Sequence, residues 1–223
     1  MIKTFRHIHN RRKILRQAID VKRHFEDWQE TCVPSYCHGN LAAAYVSWWR
    51  LFKSVHLARA SLKGGGPDIH ALDFGSSIGE LGHLVPDFTY HFIEEEKIAV
   101  HQLKEALAGA IRHDLDSLPE GFFDVVFALD SLEHNDDYED LLRQLLAALK
   151  PGGIMVLSGP TENALYRFGR KLAGFDGHYH KTNIYMIEES AARMMDIDRV
   201  GSLPPLMPLF RVSVWRKRPS ESA

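Results

Sequence analysis

After residue 67 the chain alternates short apolar runs with segments of other character, and each run ends at or just before a glycine or a polar side chain. The runs are HALDF (His70–Phe74), TYHFIE (Thr89–Glu94), AGAIRHD (Ala108–Asp114), FDVVFALD (Phe123–Asp130) and IMVLSGP (Ile154–Pro160). FDVVFALD reads most clearly as a strand, being β-rich and too short for a helix. A helix is expected before the fifth run, with Asp136 or Asp137 as its cap and Leu142, Leu145, Leu146 and Leu149 as its apolar stripe. It stops at KPGG (Lys150–Gly153), where proline and glycine both oppose helix. Strands that alternate with helices pair in parallel and are covered on both faces. LFRVSVWRK (Leu209–Lys217) alternates apolar with polar residues, as a final strand near a sheet edge would. The expected class is therefore α/β, a doubly wound and mostly parallel sheet with an antiparallel C-terminal strand.

KGGGP (Lys63–Pro67) is strong punctuation, and it divides an N-terminal helical cap (1–64) from the sheet-bearing domain (65–223). Within the cap, Leu41, Tyr45, Trp48, Phe52 and Val55 recur at helical steps, and Asn40 is placed to cap that helix. Tyr45, Trp48, Trp49 and Phe52 fit either a hydrophobic lid or ordinary packing. Residues 1–25 hold eight Lys/Arg against the single acid Asp20, with Ile2, Phe5, Ile8, Leu15 and Ile19 on one helical side. Such a basic amphipathic segment can lie on the inner face of a membrane or pack on its own domain. It carries no signal-peptide pattern, and no run approaches the roughly 18 apolar residues of a spanning helix. A cytoplasmic protein is expected. Cys32 and Cys37 read as two free thiols. The formal net charge of −2 argues against a dedicated nucleic-acid binder.

In open α/β sheets, ligands bind beyond the carboxyl ends of the strands. Gly75 and Gly79 follow the first run, where glycine lets backbone approach a ligand closely. The next helix would add free N–H groups. Glu94 ends the second run, at the distance where an acid takes ribose hydroxyls. Asp114 ends the third, Asp130 and His134 follow the fourth, and Pro160 and Thr161 follow the fifth.

With these positions, ALDFGSSIGEL (Ala71–Leu81), HDLDSLPEGFFDVVFALDSLEH (His113–His134) and LKPGGIMVLSGPTEN (Leu149–Asn163) resemble the class I S-adenosylmethionine-dependent methyltransferases. The similarity is greatest to their ubiquinone/menaquinone-biosynthesis-like small-molecule branch, and it spans about Asp68 to Arg218. It implies a Rossmann-like fold and S-adenosylmethionine as cofactor. By the resemblance, Asp73, Gly75, Ser76, Ser77 and Gly79 would shape the loop around the methionine end. Glu94 or its neighbour Glu95 would hold the ribose diol. Asp114 and Leu115 would meet the adenine, and Leu129 and Asp130 the amino-acid end. Two departures stand out: Ser77 replaces the middle glycine, and Glu80 adds a charge just past the loop. A helix N-terminus meant for pyrophosphate would exclude such an acid, whereas a sulfonium cofactor carries no phosphate.

Methyl transfer needs a base only when the acceptor is protonated, as an alcohol is. His134, His178 and His180 are the candidates, and Asn163, Tyr166 and Arg167 are candidate acceptor contacts. No metal is expected, since the HYH (His178–His180) and HIH (His7–His9) pairs lack partners of metal-ligand type. The function expected from the resemblance is methylation of a small molecule, at the oxygen of a sugar-containing or lipid-linked acceptor. The alternatives are N- or C-methylation of another metabolite, or a methyltransferase-like binding protein without turnover. A nucleic-acid methyltransferase would carry a target-base motif where this chain reads DSLEH.

Overall fold

A computed structural model describes residues 2–19, 28, 31–62, 68–161, 182–204 and 208–218. Ahead of the first strand lie α1 (Ile2–Ala18), a single turn α2 (Val33–Tyr36) and α3 (Leu41–Ser61). Then follow β1 (His70–Phe74), β2 (Thr89–Ile93), α4 (Lys97–Ala106), β3 (Ile111–Arg112), β4 (Phe123–Leu129) and α5 (Tyr138–Ala148). The chain continues through β5 (Leu149–Pro160), α6 (Ile184–Met194), β6 (Met195–Leu203) and β7 (Phe210–Lys217). One sheet of seven strands takes the order β3-β2-β1-β4-β5-β7-β6. β1 pairs in parallel with both β2 and β4, so the strand order reverses between β1 and β4. The crevice at that reversal, beyond the carboxyl ends of β1 and β4, is where such sheets bind ligands.

Each strand expected from an apolar run is present, and β7 is antiparallel to β5. β7 lies between β5 and β6, one strand in from the edge, as its alternation leads us to expect. The edge beside it is β6, whose sequence MDIDRVGSL is exposed along most of its length and is not among the expected strands. Two expectations need correction. First, no α-helix follows the loop after β1; the chain makes only a 3-10 turn at Gly82–Leu84 before β2. Gly82 and Pro86 flank too short a stretch to propagate helix. Second, α5 ends at Ala148 and KPGG lies inside β5, so helix and strand are joined without a loop.

Two apolar layers flank the sheet. On one face α1, α3 and α4 bury Ile8, Leu15, Trp48, Leu51, Val55 and Leu103 against Tyr90, Phe92 and Val125. On the other, α5 and α6 bury Leu142, Leu145, Ile184 and Ile187 against Leu72, Val126 and Met155. Asn40 caps α3 as expected, its Oδ1 accepting from Ala42 N–H at 2.9 Å. The buried stripe of α3, however, runs Ala44, Trp48, Leu51, Val55, Ala58. Leu41 is exposed, and Tyr45 and Phe52 are half-buried, because α1 covers that side incompletely. No helix among the described residues is long and apolar enough to cross a membrane.

The parallel pairing lines up three histidines across the sheet. His70 Nδ1 lies 3.0 Å from His91 Nε2, and His91 Nδ1 lies 2.8 Å from His113 Nε2, with Phe122 and Phe123 against the rings. Burial, then the neighbouring imidazoles, holds His91 down at about 4. Burial likewise holds His83 at about 4, and lowers His7 and His113. An imidazole whose folded pKa lies below its ordinary value binds fewer protons folded than unfolded. Its stabilising contribution is complete above about pH 6.5 and is lost as the pH falls toward 4. The melting temperature is therefore expected to drop between pH 6.5 and 4. The His91→Phe variant should show a shallower acid slope, and an equal slope in both proteins would contradict this account.

Candidate active site

The loop after β1 turns on three left-handed residues, Gly75, Ser77 and Gly79. Gly75 has φ +71°, and a Cβ there would stand 2.6 Å from Ser131 Cβ, so only glycine fits. Ser77, in the place of the middle glycine, has φ +49°. A non-glycine residue in this region stores of order 1 kcal/mol or more. The compensation is visible: Ser77 N–H donates to Glu94 Oε2 at 2.6 Å, while Glu94 Oε1 accepts from the N–H groups of Glu95 and Glu96 at 2.9 and 3.0 Å. Glu94 thus ties the loop to the end of β2. Ser77→Gly is expected to relax the turn and raise thermal stability by about 1 kcal/mol, a few degrees for a chain of this size. A melting scan that shows destabilisation would contradict a strained Ser77.

Asp73, near the end of β1, is buried and accepts from Tyr90 Oη at 2.6 Å. Burial pushes its carboxyl up to about 7, against the Tyr90 hydrogen bond and with the help of Glu94. This group acts on stability in the sense opposite to the histidines. Its unfolded form ionises first, so its contribution is lost as the pH rises through about 7.

Around this loop the cap closes. Cys32, Tyr36, Arg50 and Leu51 line a pocket together with Asp73, Gly75, Ser76, Ser77, Glu80, Leu81 and Leu129. Arg50 is 3% exposed; it pairs with Asp130, approaches Cys32 Sγ at 3.7 Å and lies over the Phe210 ring. Asp130 sits at φ +53°, directly after β4, and accepts at Oδ1 from Ser158 Oγ at 3.3 Å. Arg11 on α1 grips the buried Glu80 with two hydrogen bonds, 3.0 Å from Nε and 2.5 Å from an Nη. The charge that Glu80 adds past the loop is thus neutralised by the cap. Cys32 and Cys37 are both free thiols.

The expected site residues fall into three groups. Asp73, Gly75, Ser76, Ser77 and Leu129 line this one pocket, with Glu94 joined to it through Ser77 and Asp130 through Arg50. Asp114 and Glu95 are exposed and Leu115 half-buried, at the ends of neighbouring strands; Gly79 packs against Leu103. His134 is exposed on the turn after β4 and is not among the pocket's lining residues. His178, His180, Asn163, Tyr166 and Arg167 lie outside the described residues. Arg50, Tyr36 and Cys32 were not legible as site residues. An arginine set within the apolar run Trp48, Trp49, Leu51 and Phe52 is the signal that could have found the first.

The pocket's chemistry fits a zwitterionic, hydroxyl-bearing ligand. Arg50 could offer a cation to a carboxylate, Asp130 an anion to an ammonium with Asp73 as a further acceptor, and Glu94 an acceptor to a diol. Ser76 Oγ, Ser77 Oγ and Arg50 Nε are buried without a partner, and in a folded interior such atoms are normally satisfied. The room left is about 10 Å³, near that of one water molecule, whereas cofactor pockets run to roughly 300–1,000 Å³. A cofactor does not fit this space with the side chains placed as they are.

A family profile described as a methyltransferase domain matches residues 50–196. The fold is shared with the N-methyltransferase NodS of Bradyrhizobium japonicum WM9, solved with S-adenosyl-L-homocysteine, at 14% identity and TM-score 0.61 over 77% of this chain and 87% of that one. It is also shared with magnesium protoporphyrin IX methyltransferase of Synechocystis PCC 6803, with the same compound bound, at 19% identity and TM-score 0.62 over 86% and 94%. The [4+2]-cyclase SpnF is similar too, at 16% identity and TM-score 0.58 over 75% and 81%, so the fold alone does not dictate the reaction. No curated protein sequence matches the chain. With the profile covering most of the chain, the chain belongs to the methyltransferase domain family, the class I S-adenosylmethionine-dependent methyltransferases.

Proposed function

We propose that the chain methylates a small molecule of the sugar-containing or lipid-linked kind, at oxygen, in the manner of the ubiquinone/menaquinone-biosynthesis-like branch. The observation that carries the cofactor side is the convergence of Arg50, Asp73 and Asp130 on the loop that Glu94 braces. Bound S-adenosylmethionine supplies an electrophilic methyl group to an acceptor placed in line with it. The protein's part is positioning. Arg50 takes the cofactor carboxylate and Asp130 or Asp73 its ammonium group. Glu94 keeps lone pairs for the ribose diol while its backbone partners fix its rotamer, and Asp114 with Leu115 receives the adenine. His178 or His180 takes the proton of an acceptor hydroxyl; His134, set apart from the pocket, has a structural role. Residues 1–64 form the cap that gates the pocket, tied down by Arg11–Glu80 and Arg50–Asp130.

The acceptor class draws support from the aromatic and basic face of the cap. Incubation of the protein with methyl-labelled S-adenosylmethionine and separate lipid and aqueous cell extracts tests it. Label in the lipid fraction, dependent on protein, is the expected result. Label confined to an amine in the aqueous fraction would overturn both the acceptor class and the oxygen chemistry. Cofactor binding with no transfer to either fraction would favour the binding-protein alternative, for which the closed cap is the supporting observation.

A further inference from the structure

Helix α1 has two sides with different work. Arg11 points into the molecule toward Glu80, and Ile8 and Leu15 are buried beside it. The opposite side exposes Arg6, His9, Lys13 and Arg16, spaced three, four and three residues apart and so forming one stripe along the helix. At the border between the two sides stands Phe5, 41% exposed, its ring 5.2 Å from Tyr45 and 6.1 Å from Trp49 of α3. Thr4, Phe5, Ile8, Tyr45 and Trp49 enclose an open groove of about 250 Å³. Trp49 is 44% and Leu41 57% exposed on the same face of α3. Neither α1 nor α3 contains an aspartate or glutamate, although the whole chain is formally −2. Three exposed cations of α1, Arg6, Lys13 and Arg16, therefore share one face beside an aromatic strip, with no acid on either helix to neutralise them.

We infer that this face docks on an anionic lipid bilayer. Lysines and arginines on one side of a helix are drawn to acidic headgroups, and tryptophan, tyrosine and phenylalanine at its border settle at the headgroup–acyl boundary. The groove that Phe5 and Trp49 border has room for part of one acyl chain. Charge complementarity favours this occupant: the stripe fits a surface that is anionic along its full length, and the adjacent aromatic strip fits the apolar layer beneath. The inference deepens the lipid-linked acceptor reading and rests on it for its purpose. It uses none of the pocket residues, because Arg11 and Arg50 lie on the far sides of the same two helices.

The full chain is tested by flotation with vesicles of phosphatidylcholine alone and with about one third phosphatidylglycerol. Retention is expected on the anionic vesicles only, with release at high salt, since the attraction is screened. A triple variant, Arg6→Glu, Lys13→Glu and Arg16→Glu, should bind at least about a hundred-fold more weakly, each lost cation near the surface being worth roughly five-fold. The double variant Phe5→Ser, Trp49→Ser should also be released. Both variants should keep wild-type binding of S-adenosylhomocysteine, which shows that they fold and separates failure of docking from failure of the cofactor reading. No retention of the wild-type chain, or retention unchanged in both variants, overturns the inference. So does a wild-type dimer that Phe5→Ser, Trp49→Ser converts to monomer, because the face would then belong to a second copy.

Discussion

Replacing Arg50 by alanine should weaken binding of S-adenosylhomocysteine by at least about a hundred-fold, or roughly 3 kcal/mol. The loss has two parts. One is the charge-assisted contact to the ligand carboxylate. The other is the reorganisation of Asp130, whose carboxylate loses its cation beside the loop. Breaking a fully buried pair costs about 3–5 kcal/mol of folding stability. Asp130 keeps some solvent contact, so a cost of about 2–3 kcal/mol is expected, near 5–10 °C of melting temperature. The two parts separate in the double variant Arg50→Ala, Asp130→Asn, in which stability should largely return while binding stays weak. Arg50→Lys retains charge but loses the planar fork, and should fall between. Calorimetric binding within about three-fold of wild type for Arg50→Ala would remove Arg50 from the site.

Glu94→Ala should have an effect of similar size through a different route. Three backbone N–H groups, those of Ser77, Glu95 and Glu96, lose their acceptor at once. Hydrogen bonds to a charged group contribute about 1.5–3 kcal/mol each, less where water can replace the partner, as it can at exposed Glu95 and Glu96. The net loss of stability should be about 2 kcal/mol, and binding should fall about a hundred-fold because the left-handed Ser77 turn is released as well. Glu94→Gln keeps an acceptor oxygen, so it should retain most of the stability but bind about ten-fold more weakly. Wild-type affinity in Glu94→Ala would show that the ribose is held elsewhere.

The strands could be read from the sequence because they are buried on both faces and so nearly continuous in apolar residues. HALDF matches β1 residue for residue, and FDVVFALD runs one residue past the end of β4. β6 could not, since MDIDRVGSL is an exposed edge held chiefly by its pairing with β7. The loop residues Gly75 to Gly79 were legible because backbone conformation restricts side-chain choice there. Ser77 is the instructive exception: its side chain gives no hint that Glu94, 17 positions away, stabilises its backbone. Arg50 and Arg11 were hidden for the same reason in another form. Each lies on a helix whose periodicity speaks only of core and surface, and the partners Asp130 and Glu80 meet them through the fold.

The central claim is that the pocket between the cap and β1 takes S-adenosylmethionine and no dinucleotide. Thermal denaturation with S-adenosylhomocysteine, NAD or FAD tests it most directly. At 100 times its dissociation constant a ligand of the folded state adds about 2.7 kcal/mol, or several degrees. The account predicts that rise with S-adenosylhomocysteine alone and its loss in Arg50→Ala. Stabilisation by NAD with no response to S-adenosylhomocysteine would contradict it.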